Sequence, residues 1–222
     1  MFAEGIWAAL PKALKAIFPV ISCFRDNKTG KAFPSEQTIA ILSGRTDKIV
    51  REGIKGLEGF PGVQMERYLT SRGRWSRRFI IANPPQEKGR AFPFHKAIIE
   101  GGNWLLLSPA AQALYPVMRF FSFYEYWSEE EQDDFDEQFR NRTYEYCEAE
   151  IVVMAEYAGI DRRSVHPAIK SLEQRFLIER DDERWKVFLR PPQIYTRMYL
   201  NRLAAGKYRH LQDTAWEKTT GQ

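Results

Sequence analysis

The chain has 222 residues, 44% apolar, 28% charged and 14% aromatic, which excludes a disordered chain and suits one large domain or two small ones. No apolar run reaches the roughly 18–20 residues of a membrane span, Glu4 stands where a signal peptide needs basic residues, and Cys23 and Cys147 form neither a disulfide framework nor a CxxC pair. A soluble, cytoplasmic protein is expected. Its formal charge of +4 is unevenly spread: residues 25–95 hold 14 Lys/Arg against 7 Asp/Glu, and residues 125–150 hold 2 against 11.

In chain order, Trp7, Leu10, Leu14, Ile17 and Ile21 fall at helical spacing, so a helix is predicted over 7–24, broken near Pro19. Residues 27–30 (Asn-Lys-Thr-Gly) make a turn. Ser35 is an N-cap for a helix ending at Gly44, and Thr46 caps the next, in which Val50, Ile54 and Leu57 share one side. Strands are predicted over 63–69 and 79–82, joined by a basic loop whose tip carries Arg72, Gly73 and Arg74. Helix, helix, tight turn, helix and hairpin is the order of a winged helix. After a linker over 84–90 the order recurs: a helix over 104–127, an acidic helical insertion at about 125–147, a helix before Gly159, a third helix over 162–175, strands over 177–180 and 186–189, and a last basic helix over 197–212.

The chain also resembles itself. Residues 7–20 match 104–117 at an offset of 97, sharing Trp, Leu, two Ala, Pro and Val; residues 44–58 match 159–173 at an offset of 115, sharing Gly, Val, Ile, Lys, Leu and Glu. The 18-residue growth between the offsets brackets the acidic stretch. The predicted fold is therefore mainly α with small β-hairpin wings (α+β): a first winged helix-turn-helix domain over 1–90, a second over 91–192 with the insertion, and a basic tail over 193–222.

In such a unit the third helix enters the major groove, where Arg and Lys can donate to guanine and neutralise phosphate. That assigns Arg45, Thr46, Lys48, Arg51 and Lys55 to double-stranded DNA, with Arg67, Arg72, Arg74, Arg77 and Arg78 along the wing. The competing reading is a solvated charged face. The second copy offers Arg162, Arg163, His166 and Lys170 at the matching positions, but its wing tip is Asp181-Asp182-Glu183, which repels phosphate. DNA contact there competes with dimerisation or internal packing. Pro167 is tolerated in its third helix only if that helix begins near Ser164.

Phe33-Pro-Ser-Glu-Gln-Thr-Ile-Ala40 followed by residues 44–58 resembles the winged-helix module of plasmid and phage replication proteins, and Ser164-Val-His-Pro-Ala-Ile-Lys-Ser-Leu-Glu173 is similar to the third helix of PadR-type repressors. The resemblance spans about 25 residues in each copy and implies a sequence-specific DNA-binding protein, a replication initiator or accessory protein of a plasmid, phage or integrative element. A transcriptional regulator is the alternative, and a winged-helix protein scaffold a further one. The acidic insertion departs from those families.

No enzyme activity, cofactor or small-molecule ligand is expected. Thr29-Gly-Lys31 lacks the upstream Gly of a phosphate loop, and the three histidines are too scattered for a metal. The cysteines are expected to be buried as small apolar residues. Ser128-Glu-Glu-Glu131 reads as a capping box, and the aromatic run over 115–127 as core with a share left for a homodimer interface.

Overall fold

The structure, a computed structural model, describes residues 5–69, 73, 75–82, 94–123 and 144–189. The wing tip Arg72 and Arg74, the linker, most of the acidic insertion and the whole 193–222 tail lie outside the described residues.

The fold is mixed α+β, and the described part of its first half holds four helices, the first only four residues long, with a hairpin after the last. Helices α1 (Ile6–Ala9) and α2 (Lys12–Cys23) are separated at Leu10, whose extended backbone (ψ 135°) is what a residue before proline adopts. The predicted break thus lies at Pro11, whereas Pro19 stays inside α2. Strand β1 (Lys31–Ala32) follows. Ser35 Oγ then accepts from Thr38 N at 3.0 Å to start α3 (Glu36–Ser43), and Thr46 Oγ1 accepts from Ile49 N at 3.4 Å to start α4 (Asp47–Gly56). Gly44 between them takes the left-handed conformation (φ 66°). Strands β2 (Val63–Leu69) and β3 (Trp75–Ile81) complete an antiparallel sheet of order β1-β3-β2. β1 was not predicted, because two residues show no periodicity.

The second half runs through α5 (Ala97–Glu100), a 3-10 turn at Trp104–Leu106, and α6 (Pro109–Phe121), capped by Ser108. The helix predicted over 104–127 is thus divided before Pro109 and ends in β4 (Ser122–Phe123). β5 (Tyr144–Cys147) belongs to the sheet and not to the insertion assigned to it. Helix α7 (Ile151–Ala158), a 3-10 turn at Arg162–Ser164, α8 (Val165–Glu173), β6 (Ile178–Asp181) and β7 (Arg184–Phe188) close the half. The sheet order is β4-β5-β7-β6, so β5-β7-β6 repeats the order of the first sheet. Pro167 sits at the third position of α8, in its first turn, where the missing N–H costs nothing.

One hydrophobic core runs through both halves, with Ile17 and Val20 of α2, Leu114 and Val117 of α6, Ile54 of α4 and Ile169 of α8 all buried. The contacts across it come in reciprocal pairs. Trp7 Nε1 donates to Ala113 O at 3.0 Å, and Trp104 Nε1 donates to Ala16 O at 2.9 Å; both donors and both acceptors are 97 residues apart. Gln112 Nε2 donates to the last carbonyl of α3, Ser43 O, at 3.1 Å, and to Trp104 O at 2.8 Å. Lys15, 97 residues earlier, donates to the last carbonyl of α7, Ala158 O, at 2.8 Å, and to Ala8 O at 3.0 Å. Ser43 O and Ala158 O are last-turn carbonyls of their helices, which have no intrahelical donor, and these side chains satisfy them.

The glycines follow the same rule. A Cβ on Gly44 would stand 2.5 Å from Leu105 O, and one on Gly159 (φ 58°) would overlap Ala8 O. Gly59, also left-handed, has nothing within 4 Å. Gly159→Ala should therefore destabilise the protein by at least about 2 kcal/mol, and Gly59→Ala by about 1 kcal/mol, read by urea denaturation; equal losses would remove the close approach as a cause.

Lys15 is 1% exposed, and burial followed by the charge of Lys12 pulls its pKa from 10.5 down to about 8. Between pH 8 and 10.5 the unfolded chain therefore binds the extra proton, so this group makes stability rise with pH across that window. Relative to Lys15→Met, which leaves two carbonyls without a donor, the wild-type advantage should grow from pH 7.5 to pH 10; a flat difference would refute it.

Candidate nucleic-acid interface

Helix α4 buries Val50, Gly53 and Ile54 and turns Lys48, Arg51 and Lys55 to solvent. The buried side fixes the helix against α2, leaving a basic outer face. The approach there is close: a Cβ on Gly53 would stand 2.5 Å from Ile17 Cδ1, and the end of that side chain would have to turn aside.

The hairpin supplies the opposite wall. Strand alternation puts Val63, Met65, Arg67 and Leu69 on one face with Arg77, Phe79 and Ile81. Val63, Phe79 and Ile81 are buried in the core, and the same face continues beyond it as Arg67, Leu69 and Arg77. Between hairpin and helices lies a half-open groove of about 410 Å³, floored by Ile54 and Phe79 and edged by Ser35, Glu36, Arg67 and Arg77.

Glu36 in the first turn of α3 joins the walls. Its Oε1 is 2.8 Å from Arg77 Nη1, and its Oε2 is 3.4 Å from Arg51 Nε. On the other face of the hairpin Arg78 is ion-paired with Glu66, beside Tyr68, which meets Phe33 edge-on at 5.8 Å. Lys48, Lys55 and Arg67 have no ion-pair partner among the described residues.

Two assigned residues have internal roles. The Arg45 guanidinium binds Gln112 Oε1 across the halves, and burial lowers its pKa. The residue 115 positions later is Ile160, and the residue 97 positions before Gln112 is Lys15, which cannot accept a bond from a guanidinium. Thr46 spends its hydroxyl on the α4 N-cap. Thus α4 presents Lys48, Arg51 and Lys55, with Arg77 across the groove. The sequence reasoning missed Glu36 and Gln112. The Ser35 cap located Glu36, but nothing local indicated two arginines converging on it.

In the second half, Arg162, Arg163, His166 and Lys170 are all exposed along the turn and α8. Arg163 pairs with Asp161 (Nε–Oδ1 3.1 Å), whose carboxyl it holds below the usual aspartate range. The hairpin is shorter, with a two-residue turn at Asp182-Glu183, and Asp181 pairs with Arg184 and Lys186. This hairpin offers less free positive charge. Of the acidic stretch, Glu145 is buried against Arg119, 2.5 Å from its Nη1.

Burial pushes the thiols of Cys23 and Cys147 up to about 12 and about 11, so neither is a thiolate near neutral pH. Among the described residues no cluster of His, Cys, Asp or Glu could hold a metal ion, and no helix is long and apolar enough to cross a membrane.

Comparison with models of protein families, with curated proteins and with solved structures gave no match. Arg45→Ala should lower the unfolding free energy by about 1–3 kcal/mol, because it leaves a buried amide oxygen without its donor. Lys48→Ala should change it by less than about 0.5 kcal/mol; chemical denaturation of both variants checks the division between interface and surface.

Proposed function

We propose that the chain is a sequence-specific double-stranded DNA-binding protein made of two winged-helix units that arose by duplication, with the first as the principal reader. The observation that carries this reading is the basic groove of the first half. Lys48, Arg51 and Lys55 lie on the outer face of a helix anchored from behind, Arg67 and Arg77 edge the groove from the hairpin, and Glu36 links Arg51 to Arg77. A major groove about 12 Å wide admits such a helix, and the hairpin arginines would then lie along the adjoining phosphates. Duplication is supported by the reciprocal tryptophan bonds, by the lysine and glutamine that end each other half's helix, and by the two sheets of matching order.

The preferred biological role is replication initiation, or an accessory function in it, on a plasmid, phage or integrative element; regulation of transcription uses the same interface and is the alternative. The protein acts by binding and needs no cofactor or catalytic group. The second unit contributes Arg162, Arg163, His166 and Lys170 as weaker contacts or serves to form a homodimer, and its acidic wing favours the latter. A non-DNA-binding scaffold keeps one specific support, the pairing of Arg77 and Arg78 with carboxylates.

Selection of binding sites from random duplexes tests the reading: recovery of one enriched motif supports it, and no enrichment with no retained duplex refutes it. On the selected site, Lys48→Ala or Arg51→Ala should cost about 1–3 kcal/mol and less on random DNA. Arg67→Ala should weaken both alike and reduce the salt slope by about one.

A further inference from the structure

Resting on that reading, the geometry points to Glu36 as a specificity-determining residue, an internal stand-in for phosphate that positions Arg51 for base contact and withholds Arg51 and Arg77 from arbitrary phosphates. Three elements converge to place it. The Ser35 cap fixes the first turn of α3, where Glu36 is the first helical residue. Arg77 comes two residues before buried Phe79 on β3 and points the same way, and Arg51 follows buried Val50 on α4. The carboxylate takes Arg77 at 2.8 Å and Arg51 at 3.4 Å, one oxygen to each.

A half-exposed ion pair of this kind adds little to stability, so its effect is felt elsewhere. On a duplex an arginine can bind a phosphate anywhere or a guanine edge at one place. The Glu36 carboxylate offers the same chemistry as a phosphate oxygen and is always present, so an incoming phosphate must compete with it. The contact to Arg51 is made at Nε, which leaves the terminal guanidinium nitrogens for a base. With Glu36 in place, the trio carries one net positive charge instead of two. In the second half the residue at the matching position is Ile151 and the residue matching Arg51 is His166. The carboxylate stands only in the half where arginines face each other across the groove.

Duplex binding by the full chain carrying Glu36→Gln, over a series of salt concentrations, tests this on the selected site and on random DNA of equal length. Affinity for random duplex should rise about fivefold, as expected for removing one negative charge close to phosphate. The salt slope on random duplex should steepen by about 0.9, equivalent to one more phosphate neutralised. Affinity for the selected site should fall, so that the ratio between the two drops at least about tenfold. Adding Arg77→Gln should cancel the steepening, which ties the effect to this trio and not to altered folding. An unchanged random affinity and slope, or equal weakening on both duplexes, overturns the inference alone. A wild-type chain that retains no duplex overturns it together with the DNA-binding reading.

Discussion

Two indole N–H groups, one from α1 to α6 and one from the turn before α6 to α2, are the contact on which the remaining geometry depends. A buried indole must donate, and each tryptophan finds its acceptor on the helix of the other half. Those acceptors lie near Pro19 and Pro116, which interrupt the hydrogen-bond ladders of their helices. Once the tryptophans fix how α2 lies against α6, the glycine turns come into contact with the opposite backbone, and Lys15 and Gln112 reach the helix ends. The spacing between halves is then held by backbone contact on both sides of the axis.

The candidate interface follows from that frame. α4 packs on α2, so its basic face is directed by the same helix that carries the crossing contacts. The hairpin uses its inner strand positions for the core and its outer ones for the groove, with no change of face between Phe79 and Arg77. Lys15 and Gln112 illustrate how one structural position tolerates different chemistry. The amide can accept from Arg45 while donating to two carbonyls; the ammonium can only donate, and an isoleucine stands where the arginine would be. The same chain therefore has one titratable and one neutral version of a single joint.

What the sequence made legible was local or repeated. Ser35, Thr46, Gly44 and Gly159 act at short range, and their capping and turn roles follow from chemistry within four residues. The two offsets, 97 and 115, also appear in the structure: 97 separates the equivalent donors Lys15 and Gln112, and 115 separates their acceptors Ser43 and Ala158. Less legible were features requiring side chains from separate elements. Arg45 resembles a surface base until its burial against Gln112 is known, and Glu36 resembles an ordinary first-turn acid until Arg51 and Arg77 arrive. Helix breaks were misplaced because Pro11 and Pro19 carry the same residue type, yet one occupies a cap and the other a tolerated interior site. The strands β1 and β5 are too short, or too close to an acidic run, to show alternation.

The exchange of helix-end donors also bears on what counts as a unit. Each half contains its own helices, four among the described residues, and its own sheet, which by connectivity alone makes it a candidate for excision. Yet α3 ends on an amide borrowed from the second half, and α7 ends on an ammonium borrowed from the first. A fragment stopping at residue 90 would keep every residue of α4 while leaving α3 with an unanswered carbonyl and the Trp7 indole without its acceptor, Ala113 O. In this molecule the smallest piece able to satisfy its own backbone is the pair, and the boundary drawn by sequence repetition does not coincide with the boundary drawn by hydrogen bonding.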